Sequence, residues 1–354
     1  MADSTLVQDS TLKANTGPTH SRPVCAITVT HGDRRHLMKR VLLSLLKEPA
    51  IGKIVMVTNG VAWDVQALVS ELDSGRVEAI EFDSNRGSAA AFAAGIKRAC
   101  ELAPEFIWLM DGDNEPQDDA LAKLLAAHED LNKYFPKDNM AVVAFRPSQR
   151  TDLAAGIPLS RLKRRPSSFL GFHIYDLPAK LWRRTPWGRR WTPQALPAFI
   201  DMPVAMFGGL LFHRAVVEKH GLPREDFILY ADDSEFTNRI TQSGGAVRLV
   251  TAAKIADLDA PWFVERRYRN AFHTWLEGGP DSRVFYSARN HVYFDSHCLP
   301  HSRVMFWLNR RAFYAVLWMF ALIFRRPERY RMLRRAFRDG LAGRLGAVPE
   351  LPVL

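Results

Sequence analysis

Asp111 and Asp113 flank Gly112 directly after the apolar run Phe106-Ile107-Trp108-Leu109-Met110, and about 120 residues later Asp232, Asp233 and Glu235 follow Phe227-Ile228-Leu229-Tyr230. A short apolar run that stops at carboxylates reads as a buried strand, and open α/β sheets bind ligands beyond the carboxyl ends of their strands. Two carboxylates separated by a glycine at such an end can hold a hard cation and a phosphate together. In the later cluster, adjacent carboxylates raise one another's proton affinity, which suits a base, and three acids can divide the work between a base and groups that bind hydroxyls. Each cluster also has a plainer reading. The first can be an Asp-rich turn before Pro116, the second an acidic first turn favoured by the helix dipole.

The elements that would position these groups are legible upstream. Val24 to Thr30 is a strand pattern ending in Thr30-His31-Gly32-Asp33-Arg34, followed by a helical pattern from Leu37 to Leu46. Ile54 to Val57 repeats the strand and ends at Thr58-Asn59-Gly60, an amphipathic stretch spans Val65 to Leu72, and a short strand lies near Val77 to Phe82. Ser84-Asn85-Arg86-Gly87-Ser88 then opens an Ala-rich helix to about Cys100, and a helix-like stretch from Asp118 to Asp130 follows the first acidic cluster. Strands alternating with helices predict an α/β fold with a doubly wound, mostly parallel sheet. Gly87 and the small residues after it let the helix lie close to a ligand, and its free amides suit negative charge; a plain helix start capped by Ser84 or Asn85 is the alternative.

Taken in order, "VTHGDR", "VTNG", "SNRGSAAAF", "WLMDGDNEP", "FGGLLFHRAVVEKHGLP", "LYADDSEFTNRI" and a late "SARN" resemble the inverting GT-A glycosyltransferases, most of all their galactofuranosyltransferase and rhamnosyltransferase members. The likeness covers about residues 24 to 295. It implies a Rossmann-like nucleotide half to about 150, a basic insertion to about 195 and an acceptor half to about 295; beyond the likeness, residues 296 to 354 read as a helical, basic region. It further implies that Thr30, His31, Arg34, Asn59, Asn85, Arg86 and Asp111 meet the nucleotide, that Asp113 with Asp111 binds Mn2+ or Mg2+, and that Asp233 deprotonates the acceptor with Asp232 and Glu235 beside it. Phe207, Gly208 and Trp262 fall at the acceptor wall. The donor implied is a UDP- or dTDP-sugar, galactofuranose before rhamnose, and the acceptor a glycan or lipid-linked glycan of the cell envelope. Such a metal ion would neutralise the departing diphosphate as a Lewis acid.

The sequence departs from that pattern in two places. Relatives carry a histidine metal ligand about two dozen residues after the acidic pair; here the matching stretch Ala253 to Trp262 has none, and Asp257 falls nearest, a competent ligand for a hard cation. His273 lies later and reads as a surface histidine. Arg86 and Ser88-Ala89-Ala90 stand where relatives are richer in glycine. A catalytically dead, membrane-docked binding protein is the alternative that the missing histidine suggests.

With 354 residues, 47% hydrophobic and 24% charged, the chain can bury a full core. Residues 1–22 read as a disordered tail without a signal sequence, which implies a cytoplasmic location, and Cys25, Cys100 and Cys298 read as reduced thiols. The net charge of +10 is concentrated. From Arg303 to Arg344 eleven Arg face two acids, around the apolar run Ala312 to Phe324, whose thirteen residues are too few to span a bilayer. This is the pattern either of an interfacial helix at the membrane surface or of a core helix with basic ends; no nucleic-acid module accompanies it. Arg161 to Trp191 adds nine Lys or Arg with three Trp, either a loop over the site that contacts a phosphate or a solvated insertion. Asn290 either binds substrate or packs in a helix. Phe207-Gly208-Gly209 either lets the backbone approach a sugar or forms a bulge.

Overall fold

The computed structural model describes residues 24–159, 165–182, 185, 187, 193–259 and 270–353. Strand β1 (Val24–His31) is followed by α1 (Arg35–Leu46), β2 (Ile51–Asn59), α2 (Val65–Leu72), β3 (Val77–Phe82), α3 (Ser88–Glu101) and β4 (Phe106–Asp111). Strands β5 (Asn114–Pro116), β6 (Met140–Phe145), β7 (Phe199–Met202), β8 (Leu210–His213) and β9 (Ala246–Asp257) complete the sheet, with α4 (Ala120–Leu131) after β5 and α5 (Asp232–Gln242) before β9. The strand order is β3-β2-β1-β4-β8-β6-β9-β5, and β7 pairs with β9.

The first four strands pair in parallel, as alternation of strand and helix requires, while β8 enters antiparallel between β4 and β6. Period-two alternation decides which side chain goes to which face. Ala26, Phe106, Trp108 and Met110 face Met38, Leu42 and Leu45 of α1 and Leu121 and Leu124 of α4. Cys25, Ile27, Ile107 and Leu109 face Phe92 and Ile96 of α3 and Phe236 and Ile240 of α5. With helices on both faces, both sides of each central strand are apolar, which is why these strands read as unbroken apolar runs.

A third apolar cluster unites α6 (Asp281–Tyr293), α7 (Arg303–Ile323) and α8 (Pro327–Leu341) with Phe169 and Phe172 of the basic insertion. Phe169 lies among Phe306, Phe313, Tyr314 and Phe337 at ring separations of 5.3–5.7 Å. The helical region begins earlier than the apolar run alone indicates, because Ser302 caps α7 through Met305 N–H and Asn309 bonds back to Ser167 and Ile174.

Candidate functional site

Register brings the strand ends together. His31 stands beside Asn59, and Val29 beside Asp111, so β1, β2 and β4 open at one edge onto a cleft of about 540 Å³. Thr30, His31, Arg34, Asn59, Asn85, Asp111, Asp113, Phe207, Gly208, Asp232 and Asp233 all line it, so eleven of the residues singled out in the sequence meet in one place.

At one end, Asp111 Oδ2 accepts from Arg146 Nη1 at 2.7 Å, and Arg34 lies 3.6 Å from Asp113 and 3.3 Å from Asp259. Burial and the neighbouring Asp111 push the Asp113 carboxyl up to about 6, against the pull of Arg146 and Arg34. A crowded carboxylate of this kind gains by a cation. Among the described residues no three His, Cys, Asp or Glu side chains form a ready-made metal site. Two carboxylates nonetheless suit a magnesium-type ion that completes its shell with substrate phosphates and water.

Asp257 is placed differently from the sequence expectation. β9 ends opposite Asn114, and there Asp257 Oδ1 accepts from Arg146 Nη2 at 2.5 Å and Asn114 Nδ2 at 2.9 Å, while Ser148 bonds the other oxygen. Its side chain is 4% exposed and its oxygens are occupied, so it serves as the counter-ion of Arg146 rather than as an open metal ligand. His273 pairs with Glu277 and stacks on Phe324, away from the cleft. Trp262 lies outside the described residues.

At the other end, Asp232, buried, and Asp233, half-buried, occupy the first turn of α5. Burial raises the proton affinity of both carboxyls, and for Asp232 the Asp233 charge adds to it. Ser88 Oγ lies 3.4 Å from Asp232, and the backbone N–H of Ser234 donates to Asp233 at 2.5 Å. Charge on His291 favours the ionised form of Asp233. Glu235 does not join them: its carboxylate faces Arg239 at 3.1 Å on the inner side of the helix and does not line the cleft.

The loop before this pair is strained. Ile228, Tyr230 and Ala231 adopt φ of 66°, 69° and 63°, unusual for side chains with a Cβ. Asn290 of α6, fully buried, holds it: its Nδ2 donates to the carbonyls of Phe227, Leu229 and Tyr230 at 2.6, 2.7 and 3.1 Å. Arg289 fixes the Asn290 amide from the other side at 2.9 Å. Gly87 completes the arrangement, since a Cβ there would strike the Ile228 carbonyl. Of the two readings open for Asn290, packing is the one realised, and it is packing against the candidate catalytic loop.

Asn59 also acts by support. Its amide donates to Asn85 Oδ1 at 2.9 Å and Gly87 O at 3.0 Å and accepts from Arg86 N–H at 2.7 Å, which builds the turn that starts α3. Arg86 is exposed, stacks on Phe82 at 4.7 Å and does not line the cleft. Phe207 packs 4.7 Å from Phe92 with part of its surface in the cleft. At Gly208, the space a side chain would need is taken by Arg146, Asn114 and Asp111, so the glycine accommodates that cluster. His31 stays neutral at physiological pH, because burial and then Arg34 and Arg283 push it down to about 4. Thr30 Oγ1 is buried without a partner among the described residues.

Sequence reasoning missed Arg146, Gln149 and Arg283, which also line the cleft. Arg146 immediately follows the all-apolar β6, Met140 to Phe145, and a charge at the carboxyl end of such a run was a usable signal. Arg283 reaches the cleft from α6 and had no local signal.

Residues 25–220, more than half of the chain, match glycosyl transferase family 2. The chain belongs to that family. The transferase has the mixed α/β, GT-A type architecture with a C-terminal helical region. It is 25% identical over 230 residues to galactofuranosyltransferase GlfT1 of Mycolicibacterium smegmatis, covering 64% of this chain and 68% of the relative. Among solved structures the transferase is similar to GalNAc-T7 with UDP, GalNAc and Mn2+, with a TM-score of 0.48 and 15% identity over 81% of this chain and 53% of that one. Mannosyltransferase PcManGT from Pyrobaculum calidifontis, in complex with GDP-Man and Mn2+, gives a TM-score of 0.49 and 15% identity over 92% and 76%. The chain thus spans about half the length of GalNAc-T7.

Proposed function

We propose that this transferase is an inverting, divalent-metal-dependent enzyme that moves galactofuranose from UDP-galactofuranose to a glycan acceptor, lipid-linked and destined for the cell envelope. The observation that carries the reading is the cleft itself, with Asp111 and Asp113 at one end and the Asp232–Asp233 pair at the other. Similarity to GlfT1 supports the choice of donor.

Asp113, with Asp111, would hold a magnesium or manganese ion, which supplies neutralisation of the diphosphate as it leaves. The turn built by Asn59 and Asn85 receives the nucleotide beside the start of α3. Arg34 and Arg283 add positive charge at the cleft. Asp233 takes the proton of the attacking hydroxyl. Burial beside Asp232 raises its affinity for that proton, and His291 keeps the charged form accessible. Attack from the face opposite the leaving diphosphate inverts the anomeric carbon in one displacement, so no protein nucleophile is required.

Calorimetric titration with UDP and with dTDP, each with Mn2+ and then with a chelator, tests the reading. Metal-dependent binding of UDP in preference to dTDP is expected. Preference for dTDP would move the donor to a rhamnose nucleotide, and binding of neither would leave the fold without donor chemistry.

A further inference from the structure

We propose that the outer face of α7 is a membrane-docking surface that seats the protein in the headgroup region of an anionic lipid bilayer. The inner face of this helix is spent on the protein: Phe306, Asn309, Phe313, Leu317 and Ala321 are buried against α6, α8 and Phe169. The opposite face is also apolar. Val304, Trp307, Leu308, Trp318, Met319 and Leu322 are exposed at helical spacing, with Arg311 and Ala315 between them. Four of the six, Val304, Trp307, Met319 and Leu322, keep 46–70% of their surface in solvent. Scattered single apolar residues need no explanation, but a continuous stripe along a helix of 21 residues marks an interaction surface.

Charge identifies the occupant. Among the described residues no ion pair reaches Arg303, Arg310, Arg311, Arg325, Arg334 or Arg338, although Arg326, Arg329, Arg331 and Arg335 all have carboxylate partners. Arg311 lies over the Trp307 ring at 5.3 Å, a cation held beside an aromatic at the middle of the stripe. Trp and Arg on one face match the boundary between acyl chains and anionic headgroups, where the ring is buried and the guanidinium meets phosphate. A second copy of this chain would bring like charge against like charge. No described helix is long and apolar enough to cross a membrane, so the stripe lies in the interface plane. This surface is independent of the donor assignment, because no residue of the cleft takes part.

Flotation of the full chain with phosphatidylcholine vesicles, and with vesicles that also contain phosphatidylglycerol, tests the proposal. Binding is expected only to the anionic vesicles, weakening by about tenfold or more at high salt. Trp307→Gln with Leu322→Gln, and separately Arg311→Glu with Arg325→Glu, should each weaken vesicle binding by about tenfold or more. UDP affinity, measured on the same preparations as a control of folding, should stay unchanged. Failure of the wild-type chain to bind anionic vesicles would overturn the proposal. So would vesicle binding by the Gln variant that equals wild type, or a dimer by light scattering that the same variant converts to monomer.

Discussion

Arg146 joins Asp257 to Asp111: its guanidinium donates to the first at 2.5 Å and to the second at 2.7 Å, and its own side chain is 6% exposed. Both charges of the Arg146–Asp257 pair are removed from water, so losing one partner strands the other in a low-dielectric setting. Arg146→Met should therefore destabilise the protein by about 3–5 kcal/mol, read from the midpoint of urea unfolding. Asp257→Asn keeps an oxygen acceptor for Arg146 and should change metal-dependent UDP affinity by no more than a few-fold. A loss well beyond the roughly 10–100-fold that an outer partner of a metal ligand costs would restore Asp257 to the role of metal ligand.

Asp113 makes stability depend on pH in the direction opposite to a salt-bridged aspartate. Its folded value is raised from 3.8 to about 6, so between these values the folded state binds more protons than the unfolded state. Stability from this group is then fully present below about 4 and falls as pH rises through about 6. Asp113→Asn removes the effect and should stabilise the apo protein by about 1–3 kcal/mol at pH 7, with no gain below pH 4. In the wild type, metal-dependent UDP affinity should fall as the pH drops below about 6, because proton and cation compete for one carboxylate. Thermal unfolding and calorimetry across this range check both signs; a pH-independent UDP affinity would contradict them.

The first half of the sheet and both acidic clusters were legible because each depends on local pattern. The apolar runs ending at His31, Asn59 and Asp111 reveal strand ends, and the parallel register then makes those ends neighbours. What escaped depends on partners far away in sequence. Asp257 looked like a free carboxylate because its partner is Arg146, 111 residues earlier. Glu235 sits in the same acidic run as Asp233 yet points elsewhere, since helical spacing turns it toward Arg239 one turn on. The support that Asn59 gives to the turn at Asn85 spans 26 residues, so nothing in its own neighbours announces it.

Asp233 and Glu235 make a discriminating pair of substitutions. Asp233→Asn removes the proposed base from the cleft and should lower transfer by about 10²–10⁴-fold with UDP affinity nearly unchanged. Glu235→Gln alters a carboxylate that faces Arg239 and should leave transfer within about tenfold with stability at pH 7 unchanged or raised, because burial already holds that carboxyl above its ordinary value. Steady-state rates for the two variants, with denaturation midpoints, decide the matter. Equal loss of rate in both would return Glu235 to the chemistry, and normal transfer by Asp233→Asn would remove Asp233 from it.

The loop from Phe227 to Ala231 should respond to substitution by conformation more than by contact. Asn290→Ala leaves three carbonyls without their shared donor, in a segment where Ile228, Tyr230 and Ala231 already hold positive φ. Each hydrogen bond contributes about 1 kcal/mol, so a loss of about 2–4 kcal/mol is expected, unless the loop relaxes to an ordinary conformation and carries Asp232 and Asp233 with it. In that case kcat falls while the affinity for UDP holds. Ala231→Gly separates the two contributions. Glycine before a helix would ordinarily cost stability, but at φ 63° it removes Cβ strain and should stabilise by about 0.4–1 kcal/mol or be neutral. Added to Asn290→Ala, the glycine should recover part of kcat as well as part of the stability. Recovery of stability alone would mean that Asn290 fixes the fold but not the direction in which the Asp pair faces.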